Sequence, residues 1–145
     1  MFSKSCNYAI KATIFIAQQS LQENKVSFVD IAKEIDSPTA FTAKILQILV
    51  KAGIIESVKG VNGGFYIPKR KIKKTFLVQI VDAIDGDSVF QGCGLGLSHC
   101  SEKHPCPVHD KFKSIRNQLA YMLKTTNLEE LALGIKSGET FLKTL

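Results

Sequence analysis

Apolar positions recur at helical spacing over residues 5–20, where Tyr8, Ala9, Ala12, Phe15 and Ile16 share a stripe that no glycine or proline interrupts. A polar break at Gln22-Glu23-Asn24-Lys25 ends it. Ser27, with Asp30 three residues on, predicts a capped second helix over 28–35 that buries Val29, Ile31, Ala32 and Ile35. Ser37-Pro38 predicts a third helix start, with serine as the cap and proline at the first helical position. That helix runs to about Ala52, where Gly53 stops it. On a helical wheel Phe41, Ile45, Ile48, Leu49 and Ala52 share one side; Thr39, Ala40, Ala43, Lys44, Gln47 and Lys51 share the other. The pattern then changes. Ile54–Val58 and Phe65–Ile67 are short β-branched or aromatic runs flanking Asn62-Gly63-Gly64, which predicts a hairpin closed by Pro68.

The basic segment Lys69–Lys74 marks a boundary. Helical spacing resumes over 75–85 with Phe76, Leu77, Ile80, Val81 and Ile84, and Gly86 ends it. Residues 86–106 have no periodicity and hold three of the four cysteines, the mark of a functional loop. A long helix over 107–124 carries Val108, Phe112, Ile115, Leu119 and Met122 at 4-3-4-3 spacing. Leu128–Leu133 predicts one or two further helical turns, and 137–145 reads as a tail.

Helix, short helix, tight connection, helix and hairpin is the order of a winged helix-turn-helix. The predicted class is therefore mainly α with a small β wing. Residues 1–74 form a DNA-binding domain; residues 75–145 hold a sensor loop (86–106) and a dimerisation helix (107–124). Too little chain remains to cover the stripe on that helix, so a second copy is expected to pair with it, making a homodimer that reads a pseudo-palindromic site in double-stranded DNA. Small or polar side chains on the third helix let bases approach: Thr39, Ala40, Ala43, Lys44 and Gln47. Lys59 and Asn62 do the same from the hairpin turn.

Charge sharpens this division. Residues 1–74 hold 12 Lys/Arg against 5 Asp/Glu, a net +7, whereas residues 75–145 hold 7 against 8, a net −1. The first half suits a polyanion and the second does not. No apolar run nears the ~18 residues of a membrane span. Without a signal peptide at Met1-Phe2-Ser3-Lys4, the expectation is a cytoplasmic protein with no membrane partner.

In a reducing compartment clustered thiols read as metal or redox sites. Cys93, Cys100, Cys106 and His109 follow C-x6-C-x5-C-x2-H, a complete four-ligand set for a soft or borderline metal. Structural zinc sites place two ligands in a tight knuckle, and only Cys106/His109 is that close, so the wide spacing favours an iron–sulfur cluster over zinc. His99 and His104 rank below His109 as ligands. Cys6 reads as a buried helix cysteine, with a redox thiol or alternative ligand as its functional reading. Three cysteines at ligand spacing in a small helical module do not resemble a nucleophilic Cys–His pair, so no enzyme is expected.

Residues 37–67 resemble the IscR/NsrR-type family of bacterial winged-helix transcription regulators, and the likeness extends over most of the chain. It is carried by Ser5-Cys6-Asn7-Tyr8-Ala9, by Ile31-Ala32, and by Phe41 with Ala43-Lys44-Ile45-Leu46-Gln47-Ile48-Leu49. It continues through Ala52-Gly53-Ile54-Ile55 and Ser57-Val58-Lys59-Gly60-Val61-Asn62-Gly63-Gly64-Phe65, with Lys59 where arginine is usual. The resemblance implies a homodimeric repressor whose iron–sulfur cluster senses redox state, nitric oxide or cluster supply. It also implies a 2Fe–2S cluster with His109 as fourth ligand, although the first cysteine spacing is six residues rather than the commoner five. The family's 4Fe–4S form, possible here too, takes a carboxylate at about the position of Asn7, which is neutral. Two other functions fit the residues: a thiol- or zinc-dependent regulator without a cluster, and, in another class, an iron–sulfur electron-transfer or cluster-carrier protein.

Overall fold

The computed structural model describes residues 2–144. Helix α1 spans Lys4–Leu21, capped by the Ser3 hydroxyl, which accepts from the Cys6 amide at 3.0 Å. Helix α2 spans Phe28–Glu34 and starts with the expected reciprocal capping box: Ser27 accepts from the Asp30 amide at 3.1 Å, and the Asp30 carboxylate accepts from the Ser27 amide at 3.4 Å. Ile31, Ala32 and Ile35 are buried as expected, but Val29 faces solvent because α2 is only two turns long and one face suffices to bury it. Asp36 takes the left-handed conformation, at φ 53°, and the Ser37 amide bonds back to the Ala32 carbonyl at 2.9 Å. That tight corner turns the chain into α3 (Thr39–Lys51).

Two details of α3 differ from the sequence reading. Pro38 rather than Ser37 is the cap residue, and Ser37 instead pairs its hydroxyl with that of Thr42. The buried face is Thr42, Ile45, Leu46 and Leu49, so Leu46 is core while Ile48 is 44% exposed and Ala52 lies at the surface. The face is rotated by roughly 70° from the expected wheel, because α3 wedges against both α1 and α2.

Strands β1 (Glu56–Val58) and β2 (Gly64–Tyr66) pair antiparallel, with Glu56 opposite Tyr66, Ser57 opposite Phe65 and Val58 opposite Gly64. Ile54, Ile55 and Ile67 lie outside the strands and are core residues that fix the hairpin's root. At the turn only glycine fits at 63, since a β-carbon there would collide with the Val58 carbonyl oxygen. Val26 adds a single-residue third strand: its amide and carbonyl both bond Phe65, at 3.1 and 2.7 Å.

Lys69–Ile72 is a short helix, α4, rather than an open linker, because Ile72 is buried and Lys71 pairs with Glu56 at 3.5 Å. Helix α5 (Leu77–Asp85) buries Leu77, Ile80 and Val81. A helical turn, α6 (Ser88–Gln91), interrupts the expected loop. Helix α7 spans His109–Thr125, and α8 (Leu128–Ser137) is longer than the sequence suggested and packs on α1. Leu123, Leu128 and Ala132 join the core built by α1, α3 and α5, so both halves of the chain share one apolar interior. The Leu77 amide bonds Thr126 and the Leu128 amide bonds Thr75, at 3.0 and 2.9 Å, tying the start of α5 to the end of α7. The stripe on α7 is solvent-facing at Phe112, Ile115 and Met122 and half-buried at Val108 and Leu119.

Candidate functional site

Two surfaces carry the chemistry. The first is the outer face of α3 with the wing. Thr39, Ala40, Lys44 and Gln47 are exposed and Ala43 is half-buried, so this face is open over the first two turns. Lys59 and Asn62 are exposed at the wing turn. Sequence reasoning missed Ile48, which lies one turn beyond Lys44 on the exposed side and offers a methyl-rich contact between Lys44 and Lys51. It also missed Val61, which stands fully exposed at the wing tip beside Asn62. The second wheel position from Lys44 and the lone apolar residue in a glycine-rich turn are the signals that could have found them. Ile48 stands between Lys44 and Lys51, and Val61 lies two residues from Lys59, an arrangement that suits a polyphosphate backbone with bases beside the charges.

The second surface is the cysteine loop against the start of α7. The four expected ligands form two pairs. Cys100 Sγ lies 3.4 Å from His109 Nδ1, and Cys93 neighbours Cys106 closely enough that, after the Leu95 and Leu97 amides, the Cys106 side chain helps hold its thiol below the ordinary range. Among the described residues no three of the acidic, histidine and cysteine side chains stand close enough to hold one ion together. His109 is buried as the first residue of α7, and its amide bonds the Cys106 carbonyl at 3.0 Å. All four cysteines are free. The Leu95 amide, 3.4 Å from Cys93 Sγ, and then the Leu97 amide hold the Cys93 thiol below its ordinary range by stabilising thiolate. Gly94 has no room for a β-carbon, which would enter the Phe112 ring, so loop backbone lies directly on α7.

Arg116, which the sequence reading did not single out, reaches into the same place. Its guanidinium donates to Cys100 Sγ at 3.2 Å and to the Gly92 carbonyl at 2.6 Å, and its buried Nε has no acceptor among the described residues. A cavity of about 270 Å³ is lined by Gln91, Cys100, Glu102, His109, Lys113 and Arg116. Glu102 and Lys113 form an ion pair at its rim, which holds the carboxyl below and the ammonium above their ordinary ranges. The donor set of three thiols and an imidazole, with an unused buried N–H beside it, fits an iron–sulfur group chemically. His99 and His104 are exposed and stand apart from the pairs.

Cys6 is fully buried in α1. Burial first, then the adjacent Asp85 carboxylate, pushes its thiol up to about 12. Asp85 also accepts from the Ser3 amide at 3.0 Å and from the Ser3 hydroxyl. The last residue of α5 thus anchors the start of α1, one residue before the cysteine loop begins.

The Rrf2 family model, described as iron-dependent transcriptional regulator, matches residues 2–133. An HTH-type transcriptional regulator of Aquifex aeolicus is 32% identical over 133 residues, covering 90% of both chains. The HTH-type transcriptional regulator IscR of Xenorhabdus nematophila is 27% identical, covering 86% of this chain and 74% of that one. Two solved structures share the fold at low identity. The T. potens IscR structure has TM-score 0.74 at 18% identity, over 97% of this chain and 91% of that one. CymR, the global cysteine regulator of B. subtilis, has TM-score 0.73 at 20% identity, over 91% and 95%. The family and these relatives are transcription regulators, not enzymes.

Proposed function

The chain belongs to the Rrf2 family of winged-helix transcription regulators, and from that membership we propose that an iron–sulfur cluster, held by Cys93, Cys100, Cys106 and His109, sets how it binds DNA. The observation that carries the reading is the approach of Cys100 to His109 at the mouth of α7, with Cys93 beside Cys106 on the same loop. When bound, the group supplies a centre whose charge and integrity respond to oxidants and nitric oxide. Cys93, Cys100 and Cys106 contribute the charged soft ligands, and His109 the neutral one that leaves a 2Fe–2S centre less negative. The 2Fe–2S form is favoured because the Asn7 side chain on α1 is neutral.

The chain's own residues give this centre a path to the DNA face. Asp85 closes α5 immediately before the loop and holds Ser3 at the head of α1, and α1 packs on α3. Strain in the loop is therefore applied to the helix against which the DNA-facing helix rests. Thr39, Ala40, Ala43, Lys44 and Gln47 read bases, while Lys59 and Asn62 follow the backbone or minor groove from the wing. A second copy packing on α7 completes a homodimer with two such faces. The roles divide along the chain even though both halves share one core: 1–74 bind DNA, and 75–145 sense and pair.

A second reading, thiol-dependent regulation without a cluster, is supported by the pairwise rather than fourfold approach of the ligands. The deciding experiment is anaerobic purification with visible absorption, iron and sulfide assays. Equal iron and sulfide with charge-transfer bands, abolished by Cys93→Ser, Cys100→Ser and Cys106→Ser, is the expected result. Wild-type protein that binds zinc alone, or no metal, sinks the cluster reading.

A further inference from the structure

We propose that Arg116 is the positioning residue of the sensor loop, tying both of its arms to α7 and donating to the sulfur face of the bound cluster so as to raise its reduction potential. This rests on the cluster reading above. One guanidinium spans the loop. It holds the carbonyl of Gly92, the residue before Cys93, and the sulfur of Cys100. It stands two turns after His109 on the same face of α7, where residues seven apart align. Three of the four ligands are therefore positioned by one side chain or its own helix.

The orphaned Nε is the second observation. A buried N–H without an acceptor is unfavourable, and native structures rarely tolerate one. It belongs to the side chain that lines, with Cys100 and His109, the cavity beside the loop. A sulfur acceptor in that cavity would give the guanidinium a partner once the side chain turns its Nε towards it. Hydrogen bonds to cluster sulfur withdraw electron density and favour the reduced form, so they raise the potential. Lysine keeps the charge but lacks the planar fork that reaches two acceptors at once.

The test compares the full-length wild type with Arg116→Gln, Arg116→Lys and Lys113→Gln, the last removing a neighbouring cation that touches no ligand sulfur. After anaerobic reconstitution, Arg116→Gln should lower the reduction potential, Arg116→Lys should recover only part of it, and Lys113→Gln, which removes a charge but no hydrogen bond to sulfur, should lower it by less. In the cluster-free proteins, hydrogen exchange at the amides of residues 92–100 should quicken on the order of tenfold in Arg116→Gln as two hydrogen bonds are lost, with α1 and α3 unchanged. Loss of iron uptake in Arg116→Gln with α1 and α3 still protected also supports the tie. An unchanged potential, or equal shifts for Arg116→Gln and Lys113→Gln, overturns the role in tuning. If even the wild type takes up no cluster, the cluster reading has failed on its own, and the exchange measurement still decides the tie: unchanged exchange overturns it.

Discussion

Ser20 joins the wing to the helical core, and removing its oxygen should be costly out of proportion to its size. It lies in the last turn of α1 and is buried. Its hydroxyl donates to the Ile16 carbonyl at 2.7 Å and accepts from the Ile67 amide at 2.9 Å. Ile67 is itself fully buried, directly after β2. In Ser20→Ala the Ile16 carbonyl loses only an extra donor, but the Ile67 N–H is left with no acceptor. The penalty for such a group is about 1–3 kcal/mol. At this chain length each kcal/mol lowers the unfolding midpoint by roughly 2–4 °C, so a loss of about 4–8 °C is expected for a mid-range penalty. Thr13→Val is the matched control. The Thr13 hydroxyl is also buried, but it donates to the Ala9 carbonyl at 2.7 Å and accepts from no group among the described residues. Its removal strands no donor and should cost well under half as much. Chemical denaturation of the two variants side by side gives the comparison. Equal effects, or a Ser20→Ala loss below about 0.5 kcal/mol, would refute the claim that an unpaired Ile67 amide sets the cost.

Three further outcomes are expected. If the α3 face and the wing meet several phosphates per subunit, raising salt from about 50 to about 200 mM should weaken DNA binding roughly 10³-fold; Gln47→Ala should relax sequence preference, and Lys59→Ala should weaken all sites alike in fluorescence anisotropy. Ile115→Asp should give a monomer in sedimentation and lose tight operator binding, and a wild-type monomer at micromolar concentration would contradict the pairing through α7. The Cys6 thiol, raised to about 12 by burial and Asp85, should escape alkylation at pH 8 while Cys93, Cys100 and Cys106 react, as read by mass spectrometry. Because its folded value lies above the unfolded one, its share of stability is complete below about pH 9 and is lost as pH rises towards 12.

Much of this protein was legible in local signals. The Ser27/Asp30 box, the start of α2 and of α8 and the glycine turn of the wing depend on neighbours a few residues away, and they stand where the pattern put them. The solvent-facing stripe of Phe112, Ile115 and Met122 was legible for the same reason. What escaped depends on partners distant in sequence. The rotation that buries Leu46 and frees Ile48 is set by two helices pressing on α3 at once, which a single wheel cannot register. Val26 reads as a loop residue until Phe65 arrives beside it. Ile72 hides in a run of lysines, so a basic segment looked like a boundary. Arg116 drew no notice, since nothing local says that it meets Cys100 sixteen residues upstream. The ligand residues were found by spacing, but spacing did not reveal that they approach in pairs.

The backbone bonds between Thr75–Leu77 and Thr126–Leu128 make α5 and α7 the legs of a hairpin whose stem is closed and whose far end is the cysteine loop. The chain leaves and re-enters the core at one point. Residues between the legs can therefore lengthen, shorten or exchange ligands while the backbone bonds of the stem hold, with Asp85 at the loop end of α5 left to pass strain on to α1. Such a layout lets one DNA-binding body accept sensors of different chemistry through changes confined to a single stretch of about twenty residues. It also suggests a practical graft: loops with other ligand spacings, transplanted between Gly86 and Val108, inherit the same mounting.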